Sequence, residues 1–328
     1  MHRKNRLVKG DFPAYPHPLK PLNAMKGKAQ EALADLIDMR DPESVREELR
    51  SILGMMSCEP FCQVIEQAYT DTIRLFNGEY PGYRRCTTPY HDLKHTTDTI
   101  LAMARLMHGA ILEGQLLTGP QVSLGLICAL MHDTGYIQKE EDTKGTGAKY
   151  TGSDTIRSIE FMGAYLTDRG LITEQFAPYA DILICTSLET SVDELSFPSP
   201  AVEFLCKLLG TADLMAQMAD RIYIEKLLHL YEEFREAEVA GYCDELDLLK
   251  KTKDFYEMVK RRFRGEFNGV CDYVQRHFKE RWGIDRNLYI EAIEANIGYL
   301  TYILENHERN YRNHLRRENV VRSVKRKR

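Results

Sequence analysis

Apolar positions recur at helical spacing along most of this 328-residue chain. From Lys26 onward, hydrophobic residues fall three or four positions apart and polar residues fill the gaps, which is the pattern of helices with one buried face. Asp41 before Pro42 is a typical helix start. The pattern predicts helices at residues 29–39, 42–56, 62–77, 92–107, 121–131, 154–169, 174–186, 200–219, 221–239, 244–264, 265–282 and 286–306.

The same pattern predicts an all-α fold, a multi-helix bundle. No stretch alternates apolar and polar residues over enough positions to indicate a β-strand. Four prolines between residues 13 and 21 favour an extended N-terminal arm over residues 1–25, because proline blocks helix interiors. Residues 26–306 are expected to form a single helical domain, followed by a basic C-terminal tail at residues 307–328.

Composition and charge narrow the function classes. With 43% hydrophobic and 28% charged residues, the chain has a globular composition, and its net charge of -5 argues against a general nucleic-acid binder. The tail is the exception, with nine Lys or Arg residues against two Glu, and it is the one place where the sequence leaves nucleic-acid binding open. Eight cysteines without a CxxC pair are interpreted as reduced thiols. No signal peptide or membrane span is predicted, so a cytoplasmic location is expected. The oligomeric state is left open.

The pair His132-Asp133 is the strongest indication of chemistry. It directly follows the most uniformly apolar helix, where two ionisable side chains need a partner to offset the cost of burial. Imidazole and carboxylate are preferred ligands of divalent metals, and Gly135 would let the chain turn there. The pair therefore predicts a metal site at the end of this helix.

Asp213 repeats the anomaly, as a carboxylate inside another strongly apolar helix. A metal would satisfy it, and so would a salt bridge to Arg221 or Arg157. Asp220 is interpreted as an ion-pair partner of Arg221.

His91 and His95 are four residues apart, so on a helix they would share one face. This spacing alone is weak, and Asp92 after the first histidine does not match the HExxH pattern of zinc proteases.

Taken in order, His95, His132-Asp133 and Asp213 resemble the HD superfamily of metal-dependent phosphohydrolases. Within it, Tyr90-His91-Asp92-Leu93-Lys94-His95-Thr96-Thr97-Asp98 is similar to the YHNxxHxxD segment of class I cyclic nucleotide phosphodiesterases, and the resemblance covers residues 90–231. It implies an HD-domain, phosphodiesterase-like bundle in which His95, His132, Asp133 and Asp213 hold one divalent metal (Zn, Fe, Mn or Mg). It also implies that Asp133 bridges to a second metal and that His91 is the proton donor.

Several residues depart from the family's pattern. Tyr136 stands where the phosphodiesterases have a further histidine, which puts the second metal in question, and Asp92 replaces an asparagine. The purine-clamping Gln and Phe cannot be assigned, because Gln275 and Phe278 fit a helix surface and a core position better. Residues 138–153 are expected to form a mobile surface loop.

Three basic residues are candidates for binding a substrate phosphate: Lys94, Lys149 and Arg157. The sequence thus predicts an enzyme that cleaves a small-molecule phosphoester with a metal-activated water, with a 3',5'-cyclic nucleotide as the first substrate to consider. The alternatives are a nucleotidase, an alarmone or nucleoside-triphosphate hydrolase of the same superfamily, or a non-catalytic HD-type regulatory binding module.

Overall fold

The all-α prediction is confirmed by a computed structural model, which describes residues 32–57 and 62–320. Within these residues no β-strand occurs, and the only β-type pairing is an isolated bridge between Tyr83 and Lys139. The predicted N-terminal arm at residues 1–25 and the end of the tail at residues 321–328 lie outside the described residues.

Eleven α-helices make up the described part of the chain. In order they are α1 (Pro42–Met55), α2 (Cys62–Asn77), α3 (Leu93–Leu112), α4 (Gly119–Met131), α5 (Asp154–Asp168), α6 (Tyr179–Leu183), α7 (Pro200–Ala219), α8 (Tyr223–Glu236), α9 (Glu245–Arg264), α10 (Tyr273–Trp282) and α11 (Leu288–His307).

Three predicted helices are shorter than expected. Of the one predicted at residues 29–39, the described part contains only a 3-10 turn, Leu33–Asp35. The helix predicted at 174–186 is confined to α6, because Pro178 sits at its N-cap and a 3-10 turn (Ile184–Thr186) follows it. α10 begins only at Tyr273, since Gly269 adopts a φ of +69°, in the left-handed region.

The centre of the molecule is formed by α3, which packs against α1, α4, α7 and α10. Every residue of α3 from His95 to Ala110 is buried, and so is α4 from Val122 to Met131. Gly109 allows a close approach of α3 to α10, because a Cβ there would lie 1.8 Å from the Tyr273 carbonyl oxygen. The shared core thus fixes the three helices that carry the ionisable residues singled out in the sequence.

The cysteine prediction is wrong for one pair. Cys185 and Cys206 form a disulfide with their Cα atoms 5.6 Å apart, which joins the turn after α6 to α7. Both residues lie in apolar stretches, and no spacing pattern in the sequence indicates that the fold brings them together. Cys86, Cys128, Cys243 and Cys271 are free thiols.

The described part of the basic tail, up to residue 320, is folded. Arg312 and Tyr311 bind the Glu245 carboxylate at the start of α9. Arg317 donates to Asn296 Oδ1 at 2.8 Å on α11. Arg312 and Arg317 are therefore held by other parts of the protein.

None of the described helices has the length and apolar character that crossing a bilayer requires.

Candidate metal centre

The structure brings together the four residues that the sequence pattern assigned to one metal. His95 lies in the first turn of α3, His132 and Asp133 directly follow α4, and Asp213 lies in the second half of α7. The side chains of His95 and His132 are 5% and 1% exposed, and those of Asp133 and Asp213 are 8% and 14% exposed. Three helices of the core therefore converge on one polar point.

The turn after α4 is fixed by α5. Ser158 of α5 donates its hydroxyl to the His132 carbonyl at 2.5 Å and accepts the Gly135 N–H at 2.8 Å. A Cβ on Gly135 would lie 1.9 Å from the Asp154 carbonyl oxygen. Glycine is therefore required for close packing on α5, which differs from the predicted role of backbone freedom in the turn.

The start of α3 places His95. Asp92 caps the helix by accepting the His95 N–H at 2.9 Å, and its other carboxylate oxygen lies 3.2 Å from Lys226 Nζ on α8. Capping satisfies a backbone donor that the first turn would otherwise leave free. The residue that departs from the family's asparagine thus positions a predicted ligand.

The ligand atoms are spaced as one ion would require. His95 Nε2 lies 3.0 Å from Asp213 Oδ1 and 3.2 Å from His132 Nε2. Asp133 Oδ2 lies 3.4 Å from His95 Nε2 and 3.3 Å from His132 Nε2. Two ligands about 2.1 Å from one ion, at octahedral or tetrahedral angles, are about 3.0 to 3.4 Å apart. The buried group His95, His132 and Asp213 could hold a metal ion, with Asp133 at its edge.

Protonation supports this fit. His132 Nδ1 lies 2.9 Å from the Ala129 carbonyl oxygen, which only accepts, so Nδ1 carries a proton and the lone pair of the neutral ring is on Nε2. Metal-binding histidines typically donate the N–H of their other ring nitrogen in this way, which fixes the orientation of the ring. Asp133 Oδ2 is buried and has no hydrogen-bond partner. Burial raises the pKa of Asp133, but the imidazoles of His132, His91 and His95 outweigh it and bring that pKa to about 2. The carboxylate is therefore ionised, and a metal ion could take the place of the imidazolium charges that lower its pKa.

His91 lies beside these ligands, although not on the same helix face. It precedes α3, which begins at Leu93, so the two histidines do not lie on one helix. Its ring centroid is still 6.3 Å from that of His95, and its Nδ1 lies 2.7 Å from Glu233 Oε2 on α8. Burial lowers the pKa of His91, but the Glu233 carboxylate outweighs burial and raises it to about 9.

Tyr136, which the resemblance aligned with a further histidine of the phosphodiesterases, contacts His91. Its ring stacks on that of His91 with centroids 4.2 Å apart and planes 9° from parallel. The stack restricts the plane of the His91 ring.

The charged ends of the three candidate phosphate-binding residues contact protein groups. Lys94 Nζ lies between Asp98 and Asp220. Lys149 Nζ contacts Asp142 Oδ1 and the Lys144 carbonyl, both at 2.6 Å. Arg157 donates to the carbonyls of Gly135 and Ile137.

The segment at residues 138–153, predicted as a mobile surface loop, has ordered contacts. Besides the Lys149 contacts, Thr146 N and Oγ1 bind the Glu236 carboxylate at 2.5 and 2.7 Å. A 3-10 turn (Gly147–Tyr150) follows, with Gly147 and Ala148 buried.

The structure gives Asp220 and Asp213 partners other than the arginines considered from the sequence. Asp220 pairs with Lys94 at 3.2 Å and not with Arg221. Asp213, for which Arg221 or Arg157 was the alternative partner, faces the two imidazoles.

Glu233 and Asp154 were missed in the sequence. Glu233 is 2% exposed and accepts from the Tyr90 N–H at 2.6 Å as well as contacting His91. Asp154 is the first residue of α5. Burial raises the pKa of Asp154, and the nearby negative charge of Asp133 raises it further. Each is one acidic residue on an amphipathic helix, and no spacing rule marks it.

A family model described as Npun_R2479-like matches residues 82–276, more than half of the chain. The matched range contains all four ligand candidates, His91 and Glu233. No curated protein matches the chain.

Proposed function

The chain belongs to the Npun_R2479-like family, and we propose that it is a metal-dependent phosphohydrolase. The observation that carries the proposal is the convergence of two imidazoles and two carboxylates beside an imidazole held by a buried carboxylate. The Nε2 atoms of His95 and His132 each lie 3.0 to 3.5 Å from an oxygen of Asp133 and of Asp213. A 3',5'-cyclic nucleotide phosphodiesterase-like activity is the refinement that the likeness of residues 90–98 supports.

His95, His132, Asp133 and Asp213 would hold one divalent ion, and the nitrogen and carboxylate donors suit Zn, Fe or Mn, with Mg less favoured by the two imidazoles. When bound, the ion supplies Lewis-acid activation of water and of phosphoryl oxygens. The side chains of Asp213 and His91 remain 14% and 16% exposed, so the centre is not fully closed to solvent. A purely structural metal site would be closed.

His91 would give its proton to the leaving oxygen. Glu233 binds Nδ1, so Nε2 is the nitrogen left to donate. With a pKa of about 9 the ring is protonated at neutral pH, as an acid for an alkoxide leaving group must be. The Tyr136 stack keeps the ring from rotating.

The proposal is tested with a panel of phosphoesters: cyclic mononucleotides, cyclic dinucleotides, nucleotide mono- and triphosphates and bis-p-nitrophenyl phosphate. Each is assayed with Mn, Mg, Fe and Zn. We expect turnover that requires a metal and that falls by about 10² to 10⁴ in His91→Ala with metal content nearly unchanged.

His307→Ala is the matched control, because that ring contacts Tyr302 and His314 at the end of α11. Metal binding without turnover of any ester would contradict the hydrolase and favour a regulatory module. Loss of metal in His91→Ala would make His91 a ligand.

A further inference from the structure

A three-membered ion bridge joins two of the helices that carry the metal ligands. Lys94 Nζ lies 2.5 Å from Asp98 Oδ2 on the same helix, α3, and 3.2 Å from Asp220 Oδ2, the residue that ends α7. The three side chains are 22%, 1% and 8% exposed. Lys94 is therefore a largely buried link from α3 to α7.

The bridge lies directly beside the ligands. His95 follows Lys94 in α3, and Asp213 lies seven residues, or two turns, before Asp220, on the same face of α7. The ligand atoms of His95 and Asp213 are 3.0 Å apart. Any shift of α3 along or away from α7 at this level would change that separation.

A small cleft lies between the two helices here, and its lining includes His95, Asp98 and Asp220. Asp98 Oδ1 in this cleft is buried without a hydrogen-bond partner. The ion pairs of Lys94 thus cross a polar gap between α3 and α7 next to His95, in addition to the packing of the two helices.

Asp220 is held from its outer side as well. Asn296 of α11 donates to the Asp220 carbonyl at 2.8 Å and to the Met218 carbonyl at 2.9 Å. The Asp220 end of the bridge is therefore held in place by α11.

We propose that Lys94 is a positioning residue of the metal centre, which sets the separation of His95 and Asp213 by tying α3 to the end of α7 through Asp98 and Asp220. The proposal rests on the metal centre of the proposed function. It gives Lys94 a role other than the phosphate binding that the sequence suggested.

The test compares metal affinity in the full-length protein and its variants. Dissociation constants for Zn²⁺ and Mn²⁺ are measured by competition with a chelating dye, after circular dichroism and thermal melting have shown that each variant is folded. We expect Lys94→Met to weaken metal binding by about 10-fold to 100-fold, as loss of a group that orients ligands does. Lys94→Arg, which keeps the charge, should restore most of the affinity.

Lys207→Met is the matched control. Lys207 forms an ion pair of similar length, 2.6 Å, with Glu203, but both residues lie on α7 and do not link it to α3. The Lys207→Met variant should bind metal as tightly as the wild type does. If Lys94→Met does not fold, Asp220→Asn is measured instead. This variant removes only the charge on the α7 side of the bridge, and it should also weaken metal binding.

Wild-type metal affinity in the folded Lys94→Met variant, or in Asp220→Asn where Lys94→Met does not fold, overturns the proposal. So does an increased KM for a phosphoester at unchanged metal affinity, which would make Lys94 a substrate-binding residue. Because the readout is metal affinity, a wild-type protein that binds metal but cleaves no ester refutes the hydrolase and leaves this result standing.

Discussion

Replacing Glu233 by Gln removes the charge that holds His91 protonated. Glu233 is 2% exposed, and its two oxygens bind His91 Nδ1 at 2.7 Å and the Tyr90 N–H at 2.6 Å. Glutamine has nearly the same shape and can keep both contacts through one oxygen or nitrogen each. The substitution therefore changes the charge next to His91 with little change in packing.

The structure gives the size of the effect. The pKa of His91 is about 9, against an ordinary value of 6.5, because the Glu233 carboxylate outweighs the lowering effect of burial. This difference corresponds to about 3 kcal/mol of preference for the imidazolium ion. Without the Glu233 charge, burial still lowers the pKa of His91 and only Asp133 and Asp154 still raise it, so this pKa should fall well below 9 in Glu233→Gln.

The sign of the stability effect follows from the same values. Since the folded-state pKa lies above 6.5, the stabilisation is present in full below pH 6.5 and is lost as the pH rises through about 9. The difference in the free energy of unfolding between wild type and Glu233→Gln should therefore be largest near pH 6 and shrink by up to about 3 kcal/mol at high pH.

The assay is NMR titration of the His91 ring in protein stripped of metal by a chelator, since a bound cation would also act on the ring. Glu236→Gln is the control, because Glu236 lies at the end of the same helix and binds Thr146 instead. A wild-type pKa at or below 6.5, or an equal pKa in Glu233→Gln, would refute the account of His91.

Three further predictions concern the same centre. Gly135→Ala would place a Cβ 1.9 Å from the Asp154 carbonyl, so urea denaturation should show a loss of about 1–3 kcal/mol in the free energy of unfolding; unchanged stability would contradict this packing. Tyr136→Ala removes the ring stacked on His91 and should lower kcat by about 10-fold to 100-fold, whereas Tyr136→Phe should retain activity; equal kcat values in the two variants would oppose the stacking role. Burial lowers the pKa of His132, but the neighbouring carboxylates raise it well above its ordinary value. A metal ion that binds His132 must therefore displace a proton, and metal affinity should rise by about tenfold per pH unit between pH 6 and 8. A metal affinity that does not depend on pH would contradict this prediction.

Three of the four ligand candidates could be predicted from the sequence because each breaks a local pattern, whereas His95 was assigned through the family resemblance. His132, Asp133 and Asp213 are ionisable groups within or directly after strongly apolar helices, where burial demands a partner. The helices themselves, such as α4 and α7, were predictable for the same reason, since their apolar length and their flanking caps are local properties.

The partners of these residues were not predictable, because they are set by the fold. Glu233 is 142 residues from His91 in sequence, and Asp220 is more than 120 residues from Lys94. Local charge suggested the nearest neighbour, Arg221, as the partner of Asp220, whereas the crossing of α3 and α7 supplies Lys94. The stacking of Tyr136 on His91 likewise depends on how the turn after α4 packs on α5.

The measurement that tests the central claim most directly is the metal content of the purified protein. Elemental analysis by mass spectrometry is applied to the wild type, to Asp213→Asn, and to Asp193→Asn as a control at an exposed position outside the centre. The account predicts about one or two divalent ions per chain in the wild type and the control, and loss of most of this metal in Asp213→Asn with the fold retained. A wild type that binds no divalent metal, or an Asp213→Asn variant with unchanged metal content, would contradict it.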